Sequence, residues 1–239
     1  MKFSSNTINL SNKKVLSQDE KSVYLLVGPP SVGKSTWLKS NLPNAFVISR
    51  DDIVDEVASE FGLTYDDLFA NPDKNLQIGH KDEKFGTVIK KPHYLPSFLP
   101  DKVWDKVTNA NGEVHKRLQN RIQEAKLSGG NIVVDMTNMN AKSRQGMLKN
   151  FKDLNGYKKK VVDFKFEGEE VQNAIKEIKN QRAREIAEQG GSKTIPDHVM
   201  DSMFGRYEPP SKGEGFDDMI DVDDRVRILD QAKRIRENQ

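Results

Sequence analysis

The chain has 239 residues, with 38 Lys and Arg against 36 Asp and Glu for a net charge of +2, and no cysteine. That length suffices for one large α/β domain with a sizeable core. The charge balance excludes a protein that coats polyanions as a whole, so any nucleic-acid contact has to come from a local patch, and the lack of cysteine excludes disulfides and thiolate metal sites.

Residues 1–20 are rich in Ser, Asn and Lys and carry no hydrophobic stretch of the signal-peptide kind; they read as a loose polar leader. No apolar run is long enough to span a bilayer. His80, His93, His115 and His198 are scattered without ligand spacing. These features lead to the expectation of a soluble, cytoplasmic protein without membrane contact.

Residues 23–27 form a continuous apolar run, the pattern of a strand buried in a parallel sheet. Gly28-Pro29-Pro30-Ser31-Val32-Gly33-Lys34-Ser35-Thr36 follows and fits G-x-x-x-x-G-K-S, the phosphate-binding loop. Gly28 and Gly33 let the backbone curl so that its N–H groups point at phosphate oxygens. The helix that opens at Lys34 and runs to residue 41 adds its positive end. Lys34 is suited to the β- and γ-phosphates of ATP or GTP, and the Ser35 hydroxyl to Mg²⁺.

Residues 45–49 make a second strand, followed by Arg50-Asp51-Asp52 at the start of a helix whose Ile53, Val54, Val57 and Phe61 recur at helical spacing. The acidic pair therefore sits at a strand's carboxyl end, the edge that faces the ligand crevice in open parallel sheets. Asp51 is the candidate general base; its alternative role is a helix N-cap, and Asp52 is able to exchange places with it. Arg50 is a candidate substrate contact.

A helical turn is expected at residues 65–69. Residues 71–101 read as an irregular insert in which Lys81, Lys84, Lys90, Lys91 and His93 interleave with Phe85, Tyr94 and Phe98. Such a mixture suits a groove that holds a phosphate backbone and stacks a base, or a surface cover anchored by its aromatics. Residues 103–125 show the period of a long amphipathic helix that ends at Gly129-Gly130.

Residues 132–135 form a third strand with Asp135 at its carboxyl end, a candidate Mg²⁺ or substrate ligand, and Thr137 and Asn138 lead into a helix over 141–152. A fourth strand is expected at 161–166 and a long helix at 169–189. Arg182 and Arg184 near its end, before Gly190-Gly191, are candidates for a lid over residues 179–196 that brings a guanidinium to the transferring phosphate. Pro196 opens a short helix, residues 219–222 form a last short strand, residues 221–224 read as a solvated acidic turn, and 225–239 as a charged helix. Strands alternating with helices give a parallel sheet covered on both faces. The organisation expected is thus a leader, one P-loop kinase domain over residues 21–224, and the terminal helix.

The loop from Gly28 to Trp37, the Ser49-Arg50-Asp51-Asp52 stretch and Asp135-Met136-Thr137-Asn138 together resemble the polynucleotide 5′-hydroxyl kinases, among them the kinase part of phage polynucleotide kinase-phosphatase and its eukaryotic relatives. Pro209-Pro210-Ser211 and Glu214-Gly215-Phe216 resemble the end of such domains. The resemblance implies ATP- and Mg²⁺-dependent transfer to a 5′-hydroxyl of RNA or DNA in end repair, with a ligase or phosphatase acting in the same pathway. It implies Asp51 as base, Lys34 and Ser35 at the donor, Asp135 as an active-site acid and lid arginines on the phosphates. The sequence departs from the phage pattern at Val54, where that family places an acceptor-gripping arginine, and it lacks a phosphatase half. Two other readings stand beside it: a kinase of a nucleoside, sugar or amino sugar, and a nucleotide-binding module without transfer. Charge reversal at Lys90 and Lys91 is expected to weaken oligonucleotide binding and spare ATP binding; an oligonucleotide affinity that does not change in a titration removes the groove.

Overall fold

The computed structural model describes residues 20–69, 79–81, 88–90, 101–191 and 193–238. In chain order the first elements are β1 (Ser22–Val27), α1 (Lys34–Asn41), β2 (Phe46–Ser49), α2 (Arg50–Glu60) and α3 (Tyr65–Phe69). A short antiparallel pair, β3 (Gly79–Lys81) and β4 (Val88–Lys90), precedes α4 (Asp101–Ser128), β5 (Ile132–Asp135) and α5 (Ala141–Leu148). Then come β6 (Lys158–Phe164), α6 (Glu169–Glu188), α7 (Asp197–Gly205), β7 (Asp218–Val222) and α8 (Arg225–Glu237). No helix among the described residues is long and apolar enough to cross a membrane.

The main sheet has the order β2-β5-β1-β6-β7, with every pair parallel. All six residues of β1 are buried, as a central strand covered on both faces requires. Its side chains alternate between two cores. Tyr24 and Leu26 pack with Leu38 of α1, Ile175 and Ile178 of α6, and Ile228 and Ala232 of α8. Val23, Leu25 and Val27 pack with Ile122 and Ala125 of α4 and with Phe151. A third cluster joins α2, α3 and α4 through Val54, Val57, Leu68 and Val107. The chain leaves β1 toward β2 on one side and later fills β6 and β7 on the other. That reversal puts a crevice at the carboxyl end of β1.

The P-loop kinase fold expected from the sequence is thus present. The differences have local causes. The helix expected over 141–152 stops at Leu148 and tightens into a 3₁₀ turn, Lys149–Phe151, that drops Phe151 into the core. The acidic stretch 221–224 is solvent-exposed as expected, but it is not all turn. Asp221 and Val222 belong to β7, which pairs in register with β6, and Asp221 forms an ion pair with Lys165 at 2.9 Å. Asp223 and Asp224 bind Arg225 and Arg227. The tail is more than a charged helix, since α8 buries Ile228 and Ala232 against α6 and β1. The basic and aromatic stretch from Lys81 to Phe98, apart from the backbone of β3 and β4, lies outside the described residues.

One ion pair ties the end of the fold to its middle. Arg144 of α5 has no exposed side-chain surface, and Glu214 has 4%. The guanidinium donates from Nε and Nη2 to the two Glu214 oxygens at 2.6 and 2.8 Å, and from Nη1 to the Asn138 carbonyl at 3.0 Å. Burial raises the Glu214 carboxyl, but hydrogen bonds from Arg144 and the Ser211 N–H outweigh it, so its pKa lies below the ordinary 4.5. A lowered carboxyl contributes stability that is complete above about pH 4.5 and is lost as pH falls through the folded value. Glu214→Ala strands a buried guanidinium and is expected to cost about 3–5 kcal/mol in denaturant melts; in Glu214→Gln the loss of stability on acidification is expected to shrink.

Candidate active site

The phosphate loop is held from three sides. The Gly28 N–H donates to the Thr137 carbonyl (3.0 Å), which joins the loop to the segment after β5. The Asn138 side-chain amide donates to the Leu26 carbonyl at 2.9 Å, and the Asn138 carbonyl is the one held by Arg144. From below, Arg227 of α8 donates from Nη2 to the Val32 carbonyl (3.2 Å) while its Nε binds Asp224 (3.1 Å). Gly33 stands at φ +113°, where a side chain is strained, and a Cβ there would run into the Arg227 guanidinium. Among the described residues only two non-glycines have positive φ, Ser31 (66°) and Asn138 (46°). Both line the crevice, as such strained positions commonly do at ligand sites.

Lys34 opens α1 and folds back over the loop, where its Nζ donates to the Gly28 and Pro29 carbonyls at 2.9 Å each. Burial lowers its pKa, opposed by the charges of Asp135 and Asp51. Asp135 is pushed up, first by burial and also by Asp51 and Asp52, with Lys34 opposing. Three carboxylates and one buried ammonium therefore sense one another. The register explains why. Ser49 pairs with Asp135 across β2 and β5, so Arg50-Asp51-Asp52 and Asp135 leave neighbouring strands at the same edge.

Ser49 is the N-cap of α2, its Oγ accepting from the Asp52 N–H at 3.2 Å. The capping role considered for Asp51 is thereby filled, and the Asp51 side chain remains 53% exposed. The Tyr65 hydroxyl donates to Asp51 Oδ1 at 3.0 Å, and burial and the Asp51 charge raise the Tyr65 pKa, which keeps it a donor. Lys193 stands on the other side, its Nζ 4.0 Å from Asp51 Oδ2.

The crevice gathers Pro30, Ser31, Gly33, Lys34, Ser35 and Thr36 with Arg50, Asp51, Asp52, Asp135, Thr137, Asn138 and Arg182, in a cavity of about 560 Å³. Gly28, Pro29 and Val32 shape the loop behind it, and Val32 is buried. Arg182 Nη1 reaches the Ser31 hydroxyl at 3.4 Å. Arg184 does not join the crevice; it donates to Gln181 on its own helix at 2.8 Å. Asn138 holds the loop through its buried side chain and is placed to act by support. Sequence reasoning missed Tyr65 and Lys193, which chain spacing does not connect to Asp51. Ser35 and Asp135 supply the hard oxygen donors that Mg²⁺ takes beside substrate phosphates, so the residues present fit that ion.

A model of the AAA domain family, a family of P-loop kinases, matches residues 23–210. The chain belongs to that family. Among solved structures, a provisionally named kinase of Chloroflexus aurantiacus matches with a TM-score of 0.50 and 12% identity, over 91% of this chain and 95% of that one. A gluconokinase of Sinorhizobium meliloti (15% identity, 91% and 94% of the chains, TM-score 0.38) and a chain of the PezAT toxin–antitoxin system of Streptococcus pneumoniae (13%, 95% and 89%, 0.41) also match. At 12% identity the likeness to the Chloroflexus protein concerns the fold alone. The family makes this a nucleotide-binding P-loop kinase; it is coarser than the polynucleotide kinase resemblance and leaves the acceptor to be argued from the site. Gly33→Ala is expected to lower the melting temperature through about 1–3 kcal/mol of backbone strain and, by displacing Arg227, to weaken ATP binding more than tenfold in a calorimetric titration.

Proposed function

We propose that the protein transfers the γ-phosphate of ATP to the 5′-hydroxyl of an RNA or DNA end, with Asp51 as the general base. The observation that carries the chemistry is the Ser49–Asp135 register pair, which sets the base and the second acid side by side across from Lys34. The choice of acceptor is supported by the motif pair that this register joins, Arg50-Asp51-Asp52 with Asp135-Met136-Thr137-Asn138, and by the 209–216 segment, whose Glu214 is the buried anchor of Arg144.

In this reading the loop amides and the N-terminal end of α1 cradle the donor phosphates, and Lys34 leaves the Gly28 and Pro29 carbonyls for them. Arg182, at the loop's rim beside Ser31, meets charge developing on the transferred group; Arg184 takes no such part. Ser35 and Asp135 would hold Mg²⁺, which neutralises phosphate charge. Tyr65 fixes Asp51 through Oδ1 and leaves Oδ2 toward the acceptor. The hydroxyl proton passes to Asp51, the acceptor oxygen bonds to the γ-phosphorus, and the bond to the bridging oxygen breaks with ADP as leaving group. Arg50 and Asp52 flank the base and contact the acceptor.

A second reading, a kinase of a small polyhydroxyl metabolite, is favoured by two observations. The cavity of about 560 Å³ falls within the roughly 300–1,000 Å³ of small-ligand pockets. Val54 is 1% exposed and turned into the α2–α4 core, so it offers nothing to an acceptor phosphate.

Label transfer from γ-labelled ATP with Mg²⁺ to matched RNA and DNA 5′-hydroxyl oligonucleotides, run beside nucleosides and sugars, separates the two. Lys34→Ala is expected to abolish transfer. Asp51→Asn is expected to cut turnover about 100-fold or more, the usual weight of a general base, with ATP affinity kept; normal turnover in that variant removes Asp51 from the role.

A further inference from the structure

We propose that Lys193 is the acceptor-side anion contact of the crevice: it binds the negatively charged group nearest the reacting hydroxyl and so favours acceptors that carry a phosphate or phosphodiester beside it. The inference rests on Asp51 being the base that receives the acceptor.

Lys193 reaches the crevice from the segment between α6 and α7. Its Nζ lies 3.0 Å from Asp55 Oδ2, 4.0 Å from Asp51 Oδ2 and 4.3 Å from the centre of the Tyr65 ring. The Tyr65 ring under the ammonium and the Tyr65 hydroxyl on Asp51 place cation and base as one unit. The neighbouring Thr194 N–H donates to Asp66 Oδ1 at 2.7 Å, which pins the lysine's backbone to α3. The root is fixed while the side chain remains 26% exposed.

Other described cations of the crevice are engaged elsewhere. Lys34 and Arg182 stand on the phosphate loop, and Lys179 is sunk between the Ile195 carbonyl and Asp197. On the side of the base this leaves, among the described residues, Lys193 and Arg50. An anionic acceptor approaching Asp51 also meets Asp52 and Asp135, and that repulsion calls for a cation within a few ångströms of the reacting hydroxyl. Lys193 has that position. Its present partner, Asp55, is 49% exposed, and an ion pair so open to water is weak. A phosphate can take its place with little loss, because charge-assisted contacts to phosphate are the stronger kind.

The test is a calorimetric titration of adenosine and adenosine 3′-monophosphate, each carrying a free 5′-hydroxyl, in the presence of ADP and Mg²⁺. Wild type is expected to bind the monophosphate about tenfold more tightly than the nucleoside. Lys193→Ala is expected to erase that difference by weakening the monophosphate about tenfold more than adenosine, and Lys193→Arg to keep most of it. The proposal is overturned if wild type binds neither compound, if it binds both alike, or if the alanine variant weakens both equally, which would make Lys193 a strut between α3 and α7. Transfer of label to the same compounds is scored separately. A binding preference without transfer discards the 5′-hydroxyl kinase reading and leaves the lysine contact standing.

Discussion

Strand β5 lies between β1 and β2, and the chemistry of the crevice depends on that placement. It puts three chain ends on one edge: the phosphate loop after β1, the acidic pair after β2, and Asp135 with its following loop. Nothing local makes Asp51 a neighbour of Lys34; the parallel ladder does. Because register in a two-sided sheet is fixed by the period of buried side chains, the apolar run Ile132 to Val134 is as much a determinant of the site as the charged residues are. A slip of one residue there would turn Asp135 out of the cluster.

The electrostatics follow from the same constraint. Burial holds Lys34 below and Asp135 above their ordinary values, and each moderates the other. With Asp51 and Asp52 close by, the site is a cluster of carboxylates moderated by Lys34 on the loop side and by Lys193 beside Asp51. Such an arrangement favours the arrival of a ligand that brings both phosphate and a divalent cation, because each new charge finds an opposite one in place. The positive φ of Ser31 and Asn138 adds backbone strain to the same small volume. The rigid parts that hold this strain are remote in sequence: Arg144 with Glu214 behind Asn138, and Arg227 beneath Val32.

Much of the frame was legible because its signals are local. The unbroken apolar runs of β1 and β5, the period of α4 and α6, and the spacing of Gly28, Gly33 and Lys34 each occupy one short window. The choice between Arg182 and Arg184 was only half legible: residues two apart on a helix point about 200° away from each other, so only one can face the crevice, but which one depends on how the fold sets α6 against the phosphate loop. Tyr65 and Lys193 gave no such signal. Each acts on a residue brought to it by the fold, and a tyrosine or a lysine in a polar segment looks like any other. The tail misled for a different reason. Its many charges mask Ile228 and Ala232, four positions apart on one face, which is enough to dock a helix when the sheet already offers an apolar wall.

The contact between Arg227 and the Val32 carbonyl spans 195 positions of the chain. The phosphate loop belongs with β1 and α1 at the start of the domain, whereas this support comes from α8, the last helix described. Until α8 docks, the loop lacks its floor. Completion of the phosphate loop is therefore tied to the docking of α8: a chain with β1 and α1 formed but α8 unpacked displays the glycine-rich sequence without the full cradle.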